Sequence, residues 1–121
     1  MPPLLLRPAA TEVDWEIIKG ESFDIRLPVL DADDVPVDVT GWTAKAQVRR
    51  SEHESVLHEW SATAGNATVA ATTVTLHVDG AATTEWGWTN AQVSVEIYAP
   101  VTNKPHVIAQ GVIRALPEIT R

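Results

Sequence analysis

The chain has 121 residues, 45% apolar and 21% charged, with nine Lys and Arg against sixteen Asp and Glu, a net charge of −7 and no cysteine. That length is one domain's worth and buries enough surface to fold without a metal or disulfide staple, and the absence of cysteine excludes a disulfide framework and a thiol nucleophile. The basic residues are scattered from Arg7 to Arg121 rather than gathered in a stripe, so a phosphate backbone finds nothing to grip and nucleic acid is not an expected partner.

The opening "MPPLLLRPAA" lacks the basic leader and long apolar run of a signal peptide. Its three leucines fall far short of the ~20 apolar residues that span a bilayer. The expectation is a protein that is made in a cytoplasm, stays soluble and has no membrane partner. Pro2, Pro3 and Pro8 forbid a helix and favour extended polyproline geometry, so residues 1–12 read as an arm and 13–121 as a single domain. Leu4, Leu5 and Leu6 are consecutive and cannot all turn inward from an extended segment, which makes them a candidate interaction surface.

From there the dominant period is two, the mark of half-buried strands. "VDWEII" is a weak first strand. "SFDIRLPVL" alternates Phe23, Ile25, Leu27 and Val29 against polar neighbours. "WTAKAQVRR" sets Trp42, Ala44, Ala46 and Val48 against Thr43, Lys45, Gln47 and Arg49. "VLHEW" and "ATVAA" are weaker; "TVTLHV", "QVSVEIY" and "HVIAQGVIRAL" are strong, with Gly111 a bulge or bend point. Only "GAATTEW" suggests helix, a single turn. Lys19-Gly20, Asp33-Asp34, Thr40-Gly41, Gly65-Asn66, Asp79-Gly80 and "PVTNKP" punctuate the runs. Seven or eight short, mostly antiparallel strands at this spacing predict an all-β fold, an immunoglobulin-like β-sandwich or a small barrel, with the sandwich preferred.

The tryptophans divide on this frame. Trp42 faces the same way as two alanines, whose smallness leaves room for one large ring, and is the expected core anchor. Trp86 and Trp88 flank a glycine at a strand entrance. They read either as a plug in a core corner or, with Tyr98, as stacking groups for a sugar or a partner surface. Trp15 and Trp60 lie in weak strands and read as edge-exposed.

The densest local bias is "DADDVPVDVTGW", with Asp31, Asp33, Asp34 and Asp38 inside eight residues. A calcium loop would need a ligand and a glycine where Val35 and Pro36 stand, and an acid pair needs two carboxylates held across a cleft. The turn reading accounts for every position: Asp33-Asp34 reverses the chain, Pro36 extends it, Val37 and Val39 point inward, and Gly41 permits a second bend. His53, His58, His77 and His106 share no ligand spacing, and His77 reads as an outward, solvated strand residue. "SEHES" has the residue types of a nucleophilic triad but reads as a charged loop. No metal, cofactor or catalytic residue is expected.

The run "GESFDIRLPVLDADDVPVDVTGWTAKAQVR" resembles the opening of small β-sandwich proteins of tailed phages and prophages: the LtfC-like tail proteins and the N-terminal domains of baseplate proteins. Gly20, Ser22, Phe23, Asp31, Asp33, Pro36, Val37, Asp38, Thr40, Gly41, Trp42 and Arg49 carry the likeness. "VTLHVDGAATTEWGWTNAQVSVEIY" and "GVIRALPEITR" extend it over about three-quarters of the chain. Asp34 departs from a commoner glycine, and Ala91-Gln92 from a commoner Tyr-Asp. The resemblance implies a non-catalytic structural protein of the tail, baseplate or adaptor region of a virion. Such a protein is made in the bacterial host cytoplasm and assembles with other tail proteins and with copies of itself. The alternative is a carbohydrate- or cell-surface-binding module using Trp86, Trp88 and Tyr98, and a third reading is an accessory domain of an enzyme.

Overall fold

The computed structural model describes residues 11–50 and 54–117. Eight strands and one short helix appear among them: β1 (Thr11–Ile18), β2 (Phe23–Pro28), β3 (Thr43–Arg49), β4 (Val56–Ser61), β5 (Ala67–Ala70), β6 (Thr73–Val78), α1 (Gly80–Thr84), β7 (Asn90–Tyr98) and β8 (Pro105–Leu116). They form a five-stranded sheet, β1-β8-β7-β3-β4, and a three-stranded sheet, β2-β6-β5. The fold is all-β and sandwich-like, with every pairing antiparallel except β1 on β8. Leu4, Leu5 and Leu6 lie outside the described residues, as does "SEH" of the charged loop. Thr11 and Glu12, placed in the expected arm, pair with β8 as part of β1.

Alternation does what strand geometry requires, since successive side chains point to opposite faces. On β3, Ala44, Ala46 and Val48 are buried while Thr43, Lys45, Gln47 and Arg49 face out; on β7, Ala91, Val93, Val95 and Ile97 are buried. The three-stranded sheet closes over them with Val74, Leu76 and Val78 of β6. Full burial of one such side chain stabilises by about 1.5–3 kcal/mol.

Two expectations are corrected, the first about the tryptophans. Trp60, read as edge-exposed, is fully buried, whereas Trp42, read as the anchor, is half-buried and sits just before β3. The reason is cross-strand register: Trp60 pairs with Ala46, so the space left by the small β3 residues is filled from the neighbouring strand. Its indole N–H donates to the His77 carbonyl at 3.0 Å, tying one sheet to the other. Trp42 is held by the turn, its amide donating to the Val39 carbonyl at 3.0 Å.

The second concerns Gly111. The irregularity in the β7–β8 pairing falls at Ile108, between the pairs Val95↔Ala109 and Glu96↔Val107. Gly111 itself is demanded by close approach: a Cβ there would stand 1.9 Å from the Val13 carbonyl oxygen. Only glycine lets β1 lie flush against β8, which makes this residue the seat of the one parallel pairing.

Candidate functional site

The aspartate run is a turn. Asp31 Oδ1 accepts from the amides of Asp33 at 2.8 Å and Val35 at 3.0 Å, and the Asp31 amide donates back to the Val35 carbonyl at 2.9 Å. Asp34 takes a positive φ of 63°, a conformation aspartate tolerates better than most residues. Asp38 Oδ1 accepts both the Thr40 amide (3.0 Å) and the Thr40 hydroxyl (2.6 Å), which holds its carboxyl below the usual range. Val37 and Val39 are buried beside it. These carboxylates are engaged with their own backbone.

Trp86 and Trp88 are buried, at 8% and 5% exposure, so the corner-plug reading is the one the structure adopts. Their rings stack at 4.7 Å; His58 lies 5.0 Å from Trp86 and edge-on to Trp60 at 4.5 Å. Packed there, the His58 imidazole is desolvated and its pKa is lowered, against a small opposing influence of Glu59. Two nitrogens of this corner, His58 Nε2 and Trp88 Nε1, are buried and have no hydrogen-bond partner among the described residues. Tyr98 cannot join these rings in one stacking platform: it ends β7, whereas Trp88 precedes that strand's start, and eight strand steps span about 27 Å. The half-buried Tyr98 instead donates its hydroxyl to Glu96 Oε2 at 2.7 Å, which, as the main cause, pushes its pKa up to about 12.

His77, read as simply solvated, is exposed but clamped. Its Nδ1 meets Asp24 Oδ1 of β2, the residue opposite it in register, and its Nε2 meets Asp79 Oδ1 at 2.9 Å. Both nitrogens donate only when the ring is protonated, so the two carboxylates raise its pKa, Asp24 first. The arrangement extends into α1. Asp79 is the N-cap but makes no side-chain cap bond; Ser22 Oγ accepts the Gly80 amide in its place, at 2.8 Å. The fully buried Thr83 hydroxyl accepts the Gly20 amide at 2.8 Å and donates to the Gly80 carbonyl at 3.0 Å. These bonds fasten α1 to the β1–β2 turn.

The outer face of the five-stranded sheet is organised differently. Register lines up Glu59 (β4), Gln47 (β3), Ser94 (β7), Gln110 (β8) and Glu12 (β1) in one row across every strand. The next row is Arg49, Gln92, Val112 and Asp14. A shallow groove of about 480 Å³ follows these rows, and the small Ser94 is among the residues that line it. Gln47 is held at both ends, accepting from Arg49 Nη2 at 3.0 Å and donating to Glu59 Oε2 at 2.7 Å. Arg49 Nη1 also donates to the Glu54 carbonyl at 2.6 Å. Beyond the groove, Arg114 reaches Asp14 at 2.8 Å and Glu16 at 3.6 Å. Sequence reasoning missed this face because each residue looked like ordinary solvated strand; the signal was the run of uncharged amides at outward positions. Among the described residues no cluster of three or more His, Asp or Glu side chains is arranged to hold a metal.

No protein-family model matches the chain, and no curated protein matches it.

Proposed function

We propose that the chain is a non-catalytic structural protein of a phage or prophage virion, in the tail, baseplate or adaptor region, and that it works by protein–protein assembly. On this reading its two sheets are an immunoglobulin-like sandwich, and its partners are other virion proteins and further copies of itself. The sequence resemblance supplies the virion; the structural support is the placement of β1. This strand runs parallel to β8 from Thr11↔Ala109 to Ile18↔Leu116, a span of about 23 Å. The leucine-bearing segment therefore joins the domain at one end of the pair, and the chain leaves β8 at the other. At that exit end Ile18 and Leu116, 43% and 38% exposed, face each other across the strands. An exposed apolar pair at the end of an edge strand suits contact with another protein surface, and a head-to-tail contact of that kind closes into rings or extends into stacks.

The experiment is mass spectrometry of purified particles produced by the source of the gene. The expected result is the chain present in several copies per particle. Particles that lack it would refute the virion reading.

A further inference from the structure

We propose that the groove across the outer face of the five-stranded sheet binds a neutral oligosaccharide, read by the side chains of Gln92, Ser94 and Gln110. This goes beyond assembly and does not depend on it.

The groove's volume, about 480 Å³, lies in the range of small-ligand sites. Its charged lining is one Glu12 and one Arg49, so it carries no net charge although the chain carries −7. Gln92, Ser94 and Gln110 each offer both a donor and an acceptor, and among the described residues no side-chain hydrogen bond engages them. A polyhydroxylated neutral ligand has the same dual character at every hydroxyl. Gln47, fixed between Arg49 and Glu59, gives the row a rigid wall, so little ordering is lost on binding. Successive strands are about 4.8 Å apart, and the row crosses all five, which suits a ligand of several linked rings rather than one.

Other occupants fit worse. An extended peptide gains most of its affinity from main-chain bonds to a strand edge. Here β3, β7 and β8 are flanked on both sides, so their main chains are already paired. A second copy docked face to face would bring Glu12, Asp14, Glu16, Glu59 and Glu96 against the same residues, with only Lys45, Arg49 and Arg114 to offset them. An anionic polymer meets the same acidic margin.

The test is titration of the ¹⁵N-labelled full chain with neutral hexasaccharides of glucose (both anomeric linkages), mannose, galactose and N-acetylglucosamine at millimolar concentration, following the side-chain amides of Gln92 and Gln110. At least one sugar should shift both amides saturably. Gln92→Ala and Gln110→Ala should each weaken that binding about tenfold, the upper end of one hydrogen bond's worth. Ser94→Trp, which fills the groove from an outward position, should abolish it with an unchanged melt. Silence of both amides toward the whole panel would overturn the proposal. So would shifts that follow protein concentration alone, which would mark a self-docking face, or full affinity in the Ser94→Trp protein. The particle experiment and the sugar titration can fail independently.

Discussion

Trp60→Ala is the perturbation that tests the packing most directly. The indole is fully buried, faces Ala46 in register and bonds across the sandwich to the His77 carbonyl. Truncating a buried aromatic to alanine costs about 3–5 kcal/mol, and the carbonyl left without its donor adds to that. A chain of this length has about 6–18 kcal/mol in all, so the variant should remain folded at low temperature but melt far earlier. At about 4 °C per kcal/mol for this size, the expected drop is roughly 12–20 °C by circular dichroism or calorimetry. Trp42→Ala, at a half-buried site outside the strand, should lose only about half as much. The decisive observation is the ranking. If Trp42→Ala were the more damaging of the two, or if Trp60→Ala melted within a few degrees of wild type, the cross-strand account of the core would fail.

Gly111→Ala should destabilise by at least the roughly 1–3 kcal/mol of overpacking, because the new Cβ meets the Val13 carbonyl. Hydrogen exchange should show β1 losing protection first, and equal protection of β1 in the variant would refute the close-approach argument. His77→Gln should remove a pH-dependent stabilisation. The folded pKa is raised, so the contribution is complete below the ordinary histidine pKa of ~6.5, while Asp24 and Asp79 stay ionised, and disappears as pH rises through the folded value. The wild-type advantage in melting temperature should therefore be larger near pH 5.5 than near pH 8.5, and a pH-independent difference would count against the clamp. His58→Leu should show the opposite slope. Burial lowers the His58 pKa, so its stability contribution is present above ~6.5 and lost as pH falls toward the folded value. Melts on the acid side should improve in the variant, and unchanged acid behaviour would mean that the imidazole is not desolvated.

The strands were legible because their side chains alternate. β2, β3, β6 and β7 can be drawn directly from "SFDIRLPVL", "WTAKAQVRR", "TVTLHV" and "QVSVEIY", and the single helical turn from "GAATTEW". Alternation sets which face a residue takes; it carries no information about which residue lies opposite. That gap explains each miss. Ala46 implied a large neighbour, but register rather than strand membership selected Trp60 over Trp42. His77 was placed outward correctly, yet Asp24 lies 53 residues away in sequence and reaches it only through the β2–β6 pairing. The parallel β1–β8 contact joins strands almost a whole chain apart, and its one local trace was Gly111. The glutamine row is the extreme case, since it exists only once four strand pairings are known.

The polar inventory also indicates where binding is physically cheap. At the α1 end, the Gly20 and Gly80 amides, Ser22, Thr83, Asp79 and Asp24 already satisfy one another or His77. A ligand there would have to break each bond before making its own, giving back about 1 kcal/mol every time. The turn aspartates Asp31 and Asp38 stand in the same position, their oxygens turned to backbone amides. On the outer five-stranded face, Gln92, Ser94 and Gln110 owe nothing to the fold, so a bond formed there is offset only by the loss of water and of side-chain freedom. Removing them should accordingly leave the melt where it is. That separates them from Asp24, Ser22 and Thr83, whose loss would be felt in stability before it could be felt in binding.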